Sequence, residues 1–396
     1  MNLFVRSVCP AVICIGICGC TQHRELLSES ALQKTRQELV QTRIQRQSES
    51  AAIIVERLRR EYDAHAANPA SEPATLDILF LSGGADYGAF GAGVLKGWGR
   101  VPSGPMARPK FDVVMGCSTG ALIAPFAYLG SDADYERIEA VYREPKSDWI
   151  RPRGVFFFLP SNESFATIPG LERDLRALID RPFVERIAVE ARTGRLLCVN
   201  TTNLDDGSPT LIELSKEAEP ALATGNLERL YGFILSSASV PGVFPPRMID
   251  SALYVDGGIS SPPMYFGGFK LEQSIPCTWR RRYADLPMPK TRYWVIINSQ
   301  LHLIPRTVKR TWPEIISRTV DVATCSATLT AMRHLSALAA LSSATDHAEV
   351  EIRFVAIPDE WRPRKPGLFL KETMNDLADL GERLGADTSS WRTEIP

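Results

Sequence analysis

Histidine is scarce in this chain. The 396 residues hold five, at His23, His65, His302, His334 and His347, so few imidazoles are on hand for metal ligation or proton transfer. An excess of charge is also missing: 45 Lys and Arg face 46 Asp and Glu, a formal net charge of -1. That balance excludes the basic footprint of a nucleic-acid binder. Four of the eight cysteines, Cys9, Cys14, Cys18 and Cys20, crowd the first twenty residues. The other four, Cys117, Cys198, Cys277 and Cys325, stand far apart and form no C-x-x-C pair. A zinc knuckle or a thioredoxin-type motif is therefore not expected, and isolated buried thiols are. The apolar run from about Val8 to Ile17 falls short of the roughly 20 residues a spanning helix needs. No Gly-Lys-Ser/Thr loop and no correctly spaced Gly-x-Gly-x-x-Gly occurs, which removes the common nucleotide-binding readings. No internal repeat is visible.

What remains is the composition of an ordinary globular protein, 44% hydrophobic and 23% charged, long enough for one large α/β domain or two small ones. Arg6, the apolar run and Gly19-Cys20 have the layout of a secretory signal. Ile17-Cys18-Gly19-Cys20 resembles the lipobox of bacterial lipoproteins, with Cys18 where Ala or Ser is usual. The resemblance implies a signal peptide over 1–19 and a lipid-bearing Cys20. It also implies residence in the bacterial cell envelope, with Thr21 directing the protein to the outer membrane, facing the periplasm. From about Arg24 to His65 no Gly or Pro interrupts a polar stretch, so a helix is expected, serving as a spacer. Residues 66–73 read as a linker, so 20–73 form anchor, spacer and linker, and 74–396 the globular domain.

Within that domain two strand–turn–helix corners stand out. The first runs from the apolar Leu76 to Leu81 into Ser82-Gly83-Gly84-Ala85-Asp86-Tyr87-Gly88 and a helix of small residues. Its backbone N–H groups are suited to cradle an anion. The second takes the apolar run 111–115 through Gly116-Cys117-Ser118-Thr119-Gly120 into Ala121 to Ala127. G-x-S-x-G in that setting is the pattern of a nucleophile elbow, although a serine among glycines is by itself ordinarily a loop serine. Further on, Leu253-Tyr254-Val255 delivers Asp256 into a Gly257-Gly258 turn, where an aspartate is otherwise a common turn former.

The remaining segments follow their periodicity. Helices are expected over 135–142, 171–179 and 370–384, and one long helix or two over 312–345. Strands are expected over 196–202, 293–298 and 350–357. The run Val155-Phe156-Phe157-Phe158-Leu159 is expected in the core. Arg280-Arg281-Arg282 is expected in a solvated loop, with a role at anionic lipid headgroups as the alternative.

A serine hydroxyl needs a base. His302, just past a strand end, is the serious candidate among the histidines, which leaves a Ser-His-Asp triad open beside a Ser–Asp pair. The motifs together resemble the patatin-like phospholipases. Leu81-Ser82-Gly83-Gly84 with Gly88-Ala89-Phe90 is similar to that family's first block, and Gly116 to Ala121 to its nucleophile block. The segment Ser236 to Pro246 is similar to the third block, and Val255-Asp256-Gly257-Gly258 to the fourth. The match covers about 76–260. The family's Gly-Gly-Gly-x-Arg/Lys-Gly carries Ala85 at the third glycine here and Tyr87 at the basic position.

The resemblance implies a three-layer α/β/α sandwich with a mainly parallel central sheet. It implies a lipid acyl hydrolase that cleaves carboxylic ester bonds with Ser118 as nucleophile and Asp256 as base. The N–H groups of Gly83, Gly84 and Ala85 would hold the oxyanion, and Gly88, Gly116, Gly120, Gly257 and Gly258 are the motif glycines. Lipid esters are the expected substrates and the membrane the expected partner, with no nucleic acid, metal or cofactor. The competing class is a catalytically weak or inactive envelope lipoprotein that keeps the fold as an interaction module.

Overall fold

The computed structural model describes Arg24 and residues 26–154, 157–159, 162–260, 271–346 and 348–395. In chain order the elements begin with α1 (Glu29–Ala67), β1 (Thr75–Leu81), α2 (Gly88–Trp98), β2 (Val113–Cys117), α3 (Thr119–Leu129) and α4 (Asp132–Arg143). Next come β3 (Arg151–Pro152), β4 (Ala166–Thr167), α5 (Pro169–Leu178), α6 (Arg181–Arg192), β5 (Leu196–Asn203) and β6 (Ser208–Glu213). They are followed by α7 (Leu214–Thr224), α8 (Glu228–Ser237), β7 (Arg247–Ile249), β8 (Ala252–Asp256) and α9 (Ile275–Arg282). The last are β9 (Lys290–Ile297), α10 (Trp312–Asp346), β10 (Val350–Ala356) and α11 (Lys371–Ala386).

β10, β9, β1, β2 and β5 pair in parallel, while β6, β8 and β7 run antiparallel and complete an eight-stranded sheet. Because strand side chains alternate, β1 feeds two cores. Leu79 and Leu81 pack under α2, α3 and α11 on one face, and Ile78 and Phe80 under α1, α9 and α10 on the other. The expected three-layer α/β/α sandwich is the observed one, and the parallel strands read as near-continuous apolar runs because both faces are covered.

The pairing partners of β5 set up the rest. Residues 198–200 of β5 pair with both β2 and β6, and residues 201–203 with both β6 and β8. A strand has two edges, so β6 occupies one and β2 and β8 share the other. β2 ends at Cys117 opposite Asn200, and β8, running the opposite way, ends at Asp256 opposite Thr201. Two strands therefore meet C-terminus to C-terminus along one edge of β5.

Three expectations need correcting. α1 is helical, but its second half is no free spacer: Ile54, Val55 and Leu58 are fully buried in the core beneath the sheet. Arg57 of the same helix pairs with the buried Asp112 at 2.5 Å. The thin apolar spacing that suggests a spacer is enough for a contact stripe, because the sheet supplies the rest. The 155–159 run is not wholly core, since Phe158 is 68% exposed. Arg280, Arg281 and Arg282 end α9 rather than sit in a loop, and Arg282 pairs with Glu56 of α1. All four body cysteines are free thiols, Cys117 and Cys198 buried, Cys277 and Cys325 half-buried.

Candidate active site

Ser118 sits between β2 and α3 at φ 54 and ψ -124, a backbone region that non-glycine residues avoid. Two contacts hold it there. Its own N–H donates to Ser237 Oγ at 3.0 Å, and Ser237 Oγ donates to the Asn200 carbonyl at 2.6 Å. Gly116 and Gly120 let the two arms of the turn touch, since a Cβ on Gly116 would collide with the Gly120 carbonyl.

Asp256 reaches the same place from the other side, at the end of β8, and is 4% exposed. Its N–H donates to the Ser239 carbonyl at 2.9 Å. The carboxylate accepts the Gly258 N–H on Oδ1 at 2.8 Å, and the Cys117 thiol lies 4.0 Å from that oxygen. Oδ2 is buried without a hydrogen-bond partner among the described residues. Burial pushes Asp256 up to about 6, against the smaller opposing pull of the Gly258 N–H and the Ser118 hydroxyl. The Ser118 hydroxyl is thus near enough to act on the carboxylate, and nothing else bonds to Oδ2 among the described residues, an arrangement open to proton transfer between the two. Gly257 packs on Asn200, the residue that anchors Ser237.

The turn after β1 passes directly over Ser118. A Cβ on Gly83 would stand 3.1 Å from Ser118 Cβ and 3.7 Å from its Oγ. A Cβ on Gly84 would strike the Asn298 carbonyl, so that position accepts only glycine. Buried Asn298 clamps the turn from the end of β9: its N–H donates to Ser82 Oγ at 2.8 Å and its Nδ2 to the Ser82 carbonyl at 2.8 Å. The N–H groups of Gly83, Gly84 and Ala85 have no acceptor among the described residues. Ala85 takes φ 50, so an alanine fits the third position of the turn at the cost of a left-handed backbone. Gly88 opens α2 against Thr119 and Tyr142. Tyr87, where the related motif carries a cation, packs edge-on against Trp361 with ring centroids 5.4 Å apart.

Ser118, Thr119 and Ala85 open into a cavity walled by Leu122, Phe126, Ile138, Val141, Leu175, Val240 and Phe244. It holds about 810 Å³ of space between atoms, open solvent at its mouth included. Its far polar group, Asp174, is committed to Lys146, Arg173 and the Trp149 indole.

The structure thus brings Ser118, Asp256 and the Gly83–Ala85 turn together. His302 belongs elsewhere: it is exposed, and its Nδ1 lies 2.7 Å from Asp359. No histidine bonds to Ser118 or Asp256 among the described residues. Cys20 lies outside the described residues. The positioning contacts of Ser237 and Asn298 carry no signature of their own. Ser237 falls inside the 236–246 motif, the one hint available, and Asn298 follows an apolar strand like many residues with no such role.

The family model described as patatin-like phospholipase matches residues 79–265. Among solved structures, the crystal structure of VipD from Legionella pneumophila is similar at 12% identity and a TM-score of 0.37, over 81% of this chain and 68% of that one. No curated protein sequence matches the chain. The matched segment spans both turns, β2, β5 and the Asp256 strand, so residues 79–265 carry a patatin-like phospholipase domain, of a family of lipid acyl hydrolases.

Proposed function

We propose that the protein cleaves carboxylic esters of lipids through a Ser118–Asp256 dyad and a covalent acyl-enzyme. The observation that carries this reading is the meeting of β2 and β8 on one edge of β5, which sets nucleophile and carboxylate side by side at the mouth of an apolar cavity. Asp256, ionised above about pH 6, takes the Ser118 proton as Oγ attacks the ester carbonyl. The oxyanion is received by the unpaired N–H groups of Gly83, Gly84 and Ala85. The Ser118 N–H is already given to Ser237, so it is no donor to the oxyanion. Asp256 returns its proton to the leaving alcohol, and water then attacks the acyl-enzyme with Asp256 again the base. The acyl chain lies in the cavity between Leu122, Phe126 and Phe244. In this reading the lipid anchor at Cys20 holds the enzyme on the membrane that supplies its substrate.

A fluorophosphonate probe tests the nucleophile. It is expected to label the wild type and not Ser118→Ala. Asp256→Asn is expected to lose about 10²–10⁴-fold in ester turnover, and His302→Ala to keep most of it. Folded wild-type protein that neither labels nor turns over esters sinks the enzyme reading. A loss confined to His302→Ala moves the base from Asp256 to the imidazole.

A further inference from the structure

α10 is inverted. A surface helix normally turns its apolar stripe inward and its polar face to water. Here Glu314, Arg318, Asp321 and Cys325, spaced at i, i+4, i+7 and i+11, form the half-buried side that faces the protein. Arg318 donates to the Ile304 carbonyl at 3.0 Å and Cys325 Sγ to the Leu301 carbonyl at 3.1 Å, while Glu314 and Asp321 both pair with Arg306. The outward side carries Trp312, Ile315, Ile316, Val320 and Val322, exposed by 48 to 66%. By helical geometry these five fall within less than half the helix circumference.

This part of α10 overhangs the sheet at the edge where the site lies. The helix has 35 residues, about 52 Å at 1.5 Å per residue. The eight-residue β9 beside it spans only about 26 Å. β9 and β10 are parallel neighbours, so α10 must start at the C-terminal edge of β9 and return to the other edge. Its second half is anchored in the core by Ala331, Met332 and Leu335, and the surplus length projects from the start. The C-terminal edge of β9 is where Asn298 clamps the Gly83–Ala85 turn. Asp321 lies close enough to that turn to help raise the Tyr87 phenol, after burial and Asp86.

We infer that the outward face of α10 docks on an anionic lipid surface and sets the mouth of the Ser118 cavity against it. The charge pattern chooses a lipid surface over a second copy of the chain. Lys309 and Arg310 lie just ahead of Trp312, with Thr311 between, are exposed, and have no ionic partner among the described residues. Two free cations beside a tryptophan and an isoleucine pair match the headgroup and acyl layers of an anionic membrane. A self-interface would bring the same cations of two copies together. The inference rests on the lipid-ester reading only for its purpose, and its test is built to stand apart from that reading.

The full chain carrying Cys20→Ala and Ser118→Ala, so that binding is read without acyl anchor or turnover, is compared with the same chain bearing Ile315→Asn/Ile316→Asn or Lys309→Ser/Arg310→Ser. Co-sedimentation uses vesicles of phosphatidylcholine alone and of phosphatidylcholine mixed with phosphatidylglycerol. The isoleucine pair is expected to weaken binding to the mixed vesicles about tenfold or more. The cation pair is expected to weaken it by a similar factor on mixed vesicles and hardly at all on phosphatidylcholine, with the difference vanishing at high salt. With Ser118 intact, both variants are expected to hydrolyse a soluble short-chain ester at the wild-type rate and vesicle lipid more slowly. Unchanged vesicle binding in both variants overturns the inference. So does a wild-type dimer that the isoleucine pair converts to monomer with vesicle binding intact, which would make this face a self-interface. Loss of soluble-ester turnover in the wild type would instead strike the hydrolase reading and leave the binding result standing.

Discussion

Asp256 carries opposite demands at the scale of one residue. As the proposed base it must be ionised to take the Ser118 proton, but burial favours the neutral acid and lifts its pKa to about 6. Two consequences follow in opposite senses. Ester turnover is expected to rise with pH through an acid limb near 6, read from kcat/KM against pH. Stability runs the other way. A carboxyl raised above its ordinary 3.8 favours folding fully below that value, and this contribution is lost as pH climbs through about 6. The difference corresponds to about 3 kcal/mol at most. Asp256→Asn, which cannot ionise, is therefore expected to be more resistant to urea than the wild type above pH 6 and close to it near pH 4. A variant that is dead and equally or less stable at pH 7.5 would show that the carboxylate is not strained by its site. Ala85 adds a smaller strain of the same kind, a left-handed alanine where the related motif has glycine.

At the scale of elements, much of the site was legible because each motif is local. Gly116 to Gly120 and Gly83 to Gly88 declare themselves by lying between an apolar strand and a helix, and the structure places β1, α2, β2 and α3 there. What no local pattern reveals is that β8 turns back to meet β2 on the same edge of β5, a pairing of residues more than fifty positions apart. Without that register Asp256 reads equally well as a turn former. The role of Ser237 is hidden for the same reason, since it exists only once α8, β2 and β5 converge. Ser237 links the strained Ser118 to the strand edge that also carries Asp256, so in the proposed mechanism it acts by positioning. Ser237→Ala is expected to lower kcat about tenfold or more with KM little changed, and to slow fluorophosphonate labelling of Ser118 in parallel. A raised KM with unchanged labelling rate would reduce the contact to ordinary core packing.

For the whole molecule, the question is how the catalytic domain is mounted. Read from its thin apolar spacing, α1 is a tether; in the structure its second half is a layer of the sandwich, with Leu58 fully buried against the sheet. The misreading has a physical cause. One stripe of Ile54, Val55 and Leu58 suffices when a sheet face and α9 cover it, whereas an isolated helix would need far more. No described helix is long and apolar enough to cross a membrane. The attachment we propose rests on Cys20 and on the overhang of α10. A rigid α1 then relates the first described residues to the sheet directly, with Arg24 already paired to Asp205. The two functions of this N-terminal region separate by mutation. Cys20→Ala is expected to leave the urea midpoint unchanged and to turn salt-resistant membrane association into a salt-sensitive one, because only the weaker surface contact of α10 remains. Leu58→Ala is expected to cost about 2–5 kcal/mol, read as a lower urea midpoint, with membrane association of the folded protein unchanged. A Leu58→Ala protein as stable as the wild type would return α1 to the status of a spacer. Salt-resistant association in Cys20→Ala would require an anchor other than the acylated cysteine.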